Sequence, residues 1–345
     1  MKKSVGVLMG GISPEHPVSL VSGTGMLKNL DPELFAGFPI LISKTNRWIW
    51  PSKDAEDGAA KALVENADLA AACIETPPPG WLSAQFPDFK AFPHCDLMLI
   101  GLHGVGGEDG RLQGFFELAG QPFTGSGSLG SALAMDKITA KRIYQASGIP
   151  TARYQVLEKS EIESAAQQLE KDFGYPLVIK NPKGGSSLGM GIAHSRSDLE
   201  MLLKTLGADS ERLLVEAYLK GKEGTCGYLS GHQALPPTEI RPIQDGFFNF
   251  EAKYKPGRTE EITPAQFPSE IIAEMQVLAA RCHQALQLSV YSRTDFILVE
   301  NALFVLETNN LPGFTPMSLL PQAAAYTGLD YRSLLSKIIE ESLKK

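Results

Sequence analysis

Residues 291–313 read YSRTDFILVENALFVLETNNLPG, and this stretch decides the fold. Residues 295–299 and 302–307 predict two strands, and the pair Glu300-Asn301 between them has hairpin spacing. Folded back on each other, the strands bring Asp295 and Glu307 close, with Asn309 two residues further on. Two carboxylates and an amide oxygen are hard ligands, suited to Mg²⁺ whose shell is completed by phosphate oxygens. The bland alternative is a pair of solvated surface charges. It fits poorly, because Asp295 and Arg293 interrupt an otherwise apolar strand, where acids tend to be paired or metal-bound. Residues 309–313 then read as a loop whose backbone can approach a ligand.

Working outward, residues 175–180 and 190–194 predict two more strands, joined by the Gly- and Ser-rich segment 181–189. Within it, 185–189 matches the G-x-S-x-G nucleophile elbow. That motif needs a helix after it, and a strand follows here, so a hairpin tip is the better reading. Exposed N–H groups of such a tip can fold over a polyphosphate, and Lys180 stands on the strand that feeds it. No Walker loop occurs, so any ATP would be held by a different cradle, with lysines arriving from strands. Further strands are expected at 213–216, 225–230 and 234–242, and a helix at 271–286.

The first third has another character. Residues 5–9 predict a buried strand ending at Gly10 and Gly11. Helical periodicity follows through Val18, Leu20, Val21, Met26 and Leu27, with Ser13 as N-cap and Pro14 at the first position. Strands at 96–102 and 122–124 complete a strand–glycine–helix alternation, which predicts an open, mostly parallel sheet. Residues 125–130 match G-x-G-x-x-G, but the acidic residue a dinucleotide site needs about 20 positions later is missing. They read as a tight turn into a helix over 133–148. A further helix is expected at 162–173.

The chain has 345 residues, enough for two or three domains of about 100–150 residues. It is 43% hydrophobic and 21% charged, ordinary for a globular protein. The net charge of −7 argues against a nucleic-acid partner. No apolar run approaches membrane-spanning length, and the N-terminus lacks the apolar core of a signal peptide. The four cysteines show no paired spacing, which suits a reduced, cytoplasmic protein.

Seven motifs resemble those of the D-alanine–D-alanine ligase family, in family order and over nearly the whole chain. They are the stretches 10–20 (GGISPEHPVSL), 102–110 (LHGVGGEDG), 125–127 followed by 134–137 (AMDK), 185–189, 250–254 (FEAKY), 293–295 and 307–313. The resemblance implies an α/β ATP-grasp fold of three domains: a parallel α/β domain over 1–120, and two α+β domains over 121–221 and 222–345 that sandwich ATP.

It also implies roles. Lys137, Lys180 and Lys253 would hold ATP phosphates; Glu216, Ala217 and Leu219 would line the adenine pocket, and Glu223 would bind ribose. Asp295, Glu307 and Asn309 would hold two Mg²⁺ ions, with Mn²⁺ as a substitute. Glu15 would take the ammonium of the first D-alanine, with His103 beside it. Arg293 and the Gly313 backbone would stabilise the oxyanion, and Ser318 and Leu319 would touch the second D-alanine. Ser186 and Tyr254 would link two closing loops over Glu15. The implied activity is ATP-dependent synthesis of D-alanyl-D-alanine through an acyl-phosphate, for peptidoglycan precursors, by a homodimer. The alternatives are an ATP-grasp ligase with a different second amino acid and a non-catalytic nucleotide-binding regulator; the latter has no need of Arg293. Gly184, where many relatives carry Glu, and Asn310, where Thr is usual, depart from the family pattern.

Overall fold

The computed structural model describes residues 2–52, 66–85, 95–184, 189–232, 234–243 and 259–344. Its described strands form three sheets. The first contains β1 (Lys3–Gly10), β2 (Phe35–Ile42), β3 (Trp48–Pro51), β4 (Trp81–Ala84) and β5 (Leu97–Ile100) in the order β4-β3-β2-β1-β5. β1 is parallel to both neighbours. Its core-forming run Val5, Val7, Leu8 and Met9 is almost fully buried, as a strand covered on both faces should be. β3 pairs antiparallel with β2, and the edge strand β4 pairs antiparallel with β3.

Helix α1 (His16–Asn29) lies close against β1. A Cβ at Gly23 would stand 2.5 Å from that of Met9, so the approach depends on glycine. Gly10 has φ +94, and a Cβ there would meet the Ile42 carbonyl oxygen at 2.2 Å. That residue turns the chain out of β1 toward the helix. α1 begins at His16, two residues later than Pro14 led us to expect. Ser13 is spent on a preceding turn, its Oγ accepting from Glu15 N and its carbonyl from His16 N. The helix therefore opens with Glu15 in the capping position and Pro17 in the first turn. The chain then passes α2 (Ala67–Glu75) and α3 (Arg111–Ala119).

The predicted helix over 133–148 is two helices, α4 (Ser128–Met135) and α5 (Lys137–Ala146). Asp136 breaks them, with φ −85 and ψ 99, and its side chain caps α5 by accepting from Thr139 N at 2.9 Å. At the start of α4, Glu117 accepts from both Ser128 N and Ser128 Oγ. The helix N-terminus that a dinucleotide would need is thus already held by a carboxylate, which is why the G-x-G-x-x-G match is a turn.

The second sheet has the order β6-β9-β7-β8, all antiparallel, from β6 (Tyr154–Glu158), β7 (Leu177–Lys180), β8 (Met190–Ala193) and β9 (Arg212–Ala217). Helices α6 (Ala166–Phe173) and α7 (Arg196–Gly207) share its core. A strand, β8, follows the loop after β7, so the nucleophile-elbow geometry is absent; residues 185–188 themselves lie outside the described set.

The third sheet has the order β12-β11-β10-β13-β14, from β10 (Lys222–Leu229), β11 (Thr238–Pro242), β12 (Thr259–Ile262), β13 (Tyr291–Val299) and β14 (Ala302–Asn309). Helix α8 (Ser269–Ala285) buries Ile271, Met275, Leu278, Ala279 and Cys282 against it, at helical spacing. The core under this sheet also takes Ala134, Ala140, Tyr144 and Ile149, so α4 and α5 pack with the C-terminal sheet. Conversely, α9 (Leu319–Tyr326) and α10 (Tyr331–Ser342) extend the core of the first sheet. All four cysteines are unbridged.

Candidate active site

The hairpin β13–β14 has the register the sequence led us to expect. Asp295 pairs directly with Glu307, and Arg293 with Asn309. A bulge follows, because Phe296 pairs with Val305 and leaves Leu306 as the extra residue. Period-2 alternation puts Arg293 and Asp295 on one face, while Ser292, Thr294 and Phe296 are buried on the other. The buried face is tied down by hydroxyls. Tyr144 Oη donates to Thr308 Oγ1 at 2.8 Å, and Thr308 Oγ1 lies 3.0 Å from Thr294 Oγ1.

On the open face, Arg293 meets Asp295 with two bonds of 3.0 and 3.1 Å. Thr225 Oγ1 donates to Asp295 Oδ1 at 2.6 Å, and Asn309 Nδ2 to Oδ2 at 3.2 Å. Glu307 meets Lys137 Nζ at 2.9 Å. That ammonium also donates to the Gly184 carbonyl at 2.6 Å. Among the described residues no group of three or more His, Cys, Asp or Glu side chains is placed to hold a metal ion by itself. Asp295, Glu307 and the Asn309 amide fit a cation shared with phosphate oxygens, the usual arrangement for Mg²⁺. Arg293 and Lys137 are positioned to offset the carboxylate charges.

A cavity of about 410 Å³ opens at this face. Its walls include Glu15, His103, Lys137, Arg293, Glu307, Asn309, Gly313, Ser318 and Leu319, drawn from all parts of the chain. Asp295, the partner of Arg293, is not in the wall. His103 is buried, with Nε2 2.9 Å from Ser22 Oγ. Burial lowers its pKa although Glu15 pulls the other way, so a neutral ring faces the cavity. Ser318 precedes α9, and its Oγ accepts from Thr315 N at 2.9 Å. The wall also contains Glu108, to which the sequence reading gave no role. Gly104 N donates to it at 2.7 Å. Burial, with Glu15 adding to it, pushes its pKa up to about 8.

Lys180, Glu216, Ala217, Leu219 and Glu223 form a second group, outside that cavity wall, on β7, β9, β10 and the turn between the last two. Glu216 is buried and its oxygens face two ammonium groups, Lys180 Nζ and Lys141 Nζ, each at 2.5 Å. Burial alone would raise the Glu216 pKa, but the two cations outweigh it and hold it at about 2. The charges of Glu307 and Glu223 reach Lys180, so this group adjoins the hairpin site. Lys141 was missed from sequence. The available signal was its place four residues after Lys137, on the same helix face. Ser186, Lys253 and Tyr254 lie outside the described residues.

A family model described as D-ala D-ala ligase N-terminus matches residues 4–126, and one described as D-ala D-ala ligase C-terminus matches residues 143–340. The chain belongs to the D-alanine–D-alanine ligase family. A D-alanine–D-alanine ligase of Desulfotalea psychrophila is 45% identical, with 99% of this chain and 95% of that protein covered. One of Leptospira biflexa is 37% identical, with 99% of each covered. The solved ligase of Bacillus anthracis complexed with ATP superposes with a TM-score of 0.75 at 31% identity, over 99% of this chain and 98% of that one. The three sheets are thus those of an ATP-grasp fold.

Proposed function

We propose that the chain joins two D-alanines at the expense of ATP, through a D-alanyl phosphate. The observation that carries this reading is one cavity whose wall gathers four kinds of group. Glu15 suits an ammonium, the start of α9 at Ser318–Leu319 suits a carboxylate, Arg293 suits an oxyanion, and the Lys137–Glu307 pair suits a phosphoryl group and its metal.

An amine does not displace the oxygen of a carboxylate at neutral pH. Moving the γ-phosphoryl group of ATP to the first D-alanine creates a leaving group. In this reading Lys137 and Lys180 hold the phosphates, while Glu216, Ala217, Leu219 and Glu223 receive the nucleoside. Asp295, Glu307 and Asn309 would hold two Mg²⁺, or Mn²⁺, whose chemistry there is to neutralise phosphate charge. Glu15 fixes the ammonium of the first D-alanine beside neutral His103. The amine of the second D-alanine loses a proton and attacks the acyl carbon. Arg293 and the Gly313 N–H then receive the developing oxyanion, and collapse of the tetrahedral species expels phosphate. The acyl-phosphate is easily hydrolysed, so water must be kept out. The sequence motifs assign that task to loops bearing Ser186 and Tyr254, with Lys253 on the phosphates.

The same reading makes the protein a cytoplasmic homodimer serving peptidoglycan precursor synthesis, with domain limits at 120 and 221. Among the described residues no helix is long and apolar enough to cross a membrane. The deciding experiment is phosphate release from ATP with a panel of D- and L-amino acids, with product analysis. Release should require D-alanine and a divalent cation, and yield D-alanyl-D-alanine. Equal activity with L-alanine overturns the assignment; a mixed dipeptide as the main product selects the ligase with a different second amino acid.

A further inference from the structure

Lys141 is a charged side chain with no role in the chemistry above, yet it is only 1% exposed. Its Nζ meets Glu216 Oε1 and donates to Thr151 Oγ1, which in turn donates a hydrogen bond to the Val305 carbonyl at 2.9 Å. The ring of Tyr154 lies 5.7 Å away. Helix α5 supplies the lysine, β9 the carboxylate and β14 the final acceptor. Lys180, the second cation on Glu216, is placed differently. It ends strand β7 next to the loop at 181–189, and its side chain is 15% exposed.

This difference matters once nucleotide binds, and here the inference rests on the proposed function. If Lys180 serves the phosphates, Glu216 gives up part of one of its two counter-ions. A buried carboxylate without a cation takes up a proton. Lys141 is enclosed by Thr151, Tyr154 and Glu216 and has nowhere else to point. We infer that Lys141 is the permanent counter-ion that keeps Glu216 an acceptor-only carboxylate, and thereby sets the preference for a 6-amino purine over a 6-oxo purine.

The chemistry follows from donor and acceptor counts. An ionised carboxylate only accepts hydrogen bonds. It pairs with the amino N–H of adenine and repels the oxygen of a 6-oxo base. A protonated Glu216 would have an O–H to donate to that oxygen, and the discrimination would shrink. The charged groups facing the pair are Lys180 from β7, with Glu307 from β14 and Glu223 from β10 acting on the lysines. Lys141 is a positioning residue, because it acts through Glu216.

The test compares ATP with inosine triphosphate, which carries a 6-oxo group, in D-alanine-dependent phosphate release. Wild type should favour ATP by roughly a hundredfold in kcat/KM, the upper end of what one hydrogen bond to a charged partner contributes. Lys141→Met should cut that ratio by about tenfold or more, with kcat at saturating ATP affected less, and the cut should deepen as pH falls. Lys141→Arg should restore part of the ratio. A folded Lys141→Met, judged by its melting profile, with an unchanged ratio overturns the inference and leaves the ligase reading standing. Wild type that uses both nucleotides equally removes Glu216 from the base contact, and the inference falls with it. Should Lys141→Met not fold, the wild-type ratio between pH 5.5 and 7.5 decides: a flat ratio supports a permanently ionised Glu216, and a ratio that collapses toward pH 5.5 overturns it.

Discussion

The Lys137 ammonium lies 2.9 Å from a Glu307 carboxylate oxygen, joining the first residue of α5 to strand β14. The same nitrogen donates to the Gly184 carbonyl, beside the loop that follows β7. One lysine thus touches the C-terminal sheet and the mouth of the second sheet's hairpin. Those are the two surfaces between which the family reading puts the triphosphate. Lys137 is held by groups that a phosphate and a metal ion can replace.

Replacing Lys137 with Met should therefore weaken ATP more than D-alanine. A hydrogen bond to a charged partner contributes about 1.5–3 kcal/mol, or roughly ten- to a hundredfold in affinity. The expected result is a rise of that size in the KM for ATP, with the KM for D-alanine nearly unchanged. An effect confined to D-alanine would remove Lys137 from the phosphate site.

Asp295→Asn and Glu307→Gln keep shape and remove charge. Each should cripple turnover while leaving the melting temperature close to wild type, because Mg²⁺ needs anionic oxygens. Asp295→Asn also leaves Arg293 without its bidentate partner, so its loss should not be recovered fully by excess Mg²⁺. Titrating Mg²⁺ against phosphate release checks both. Near-wild-type turnover at low Mg²⁺ would exclude the metal role.

These residues were legible in the sequence because a hairpin maps spacing onto proximity: two alternating strands and a two-residue turn fix who faces whom. The strand β1 and the turn at Gly10 were legible for a similar local reason. Strands β2, β3 and β4 were not read as strands, since Phe35–Ile42 and the short β3 and β4 give no clean alternation. The break at Asp136 was hidden because one aspartate does not disturb the apolar periodicity of its flanks; it shows only when its side chain caps α5. Lys141 was hidden for a stronger reason. A lysine on an amphipathic helix reads as solvent-facing, and what buries it is Glu216, 75 positions away on β9.

Arg293 gives a prediction about rate. It faces the cavity together with Gly313. Loss of an oxyanion donor commonly costs about 10²–10³ in rate. Arg293→Met should lower kcat by that order while changing ATP affinity far less. Because Arg293 also pairs with Asp295, an accompanying change in Mg²⁺ dependence is expected, and Arg293→Lys, which keeps the charge but not the fork, should recover only part of the rate. A variant that loses ATP binding but keeps turnover would assign Arg293 to the phosphates instead.

Glu108 gives a prediction about pH. Its folded pKa is raised by burial, and secondarily by the charge of Glu15, to about 8. In the unfolded chain it titrates as an ordinary glutamate. Between those two values the folded protein holds a proton that the unfolded chain has released. Its contribution to stability is therefore complete below the unfolded pKa and is lost progressively as pH rises toward 8, with a slope of up to about 1.4 kcal/mol per pH unit. Glu108→Gln mimics the protonated form and keeps an oxygen to accept from Gly104 N, the 2.7 Å bond seen here. The variant should lie nearest to wild type at pH 5 and exceed it increasingly toward pH 8, so that its stability falls less over that range. Urea unfolding at pH 5, 6.5 and 8 measures this directly. Parallel curves for the two proteins would mean that Glu108 is ionised in the cavity at neutral pH, and its negative charge would then have to be counted beside that of Glu15 at the first ammonium.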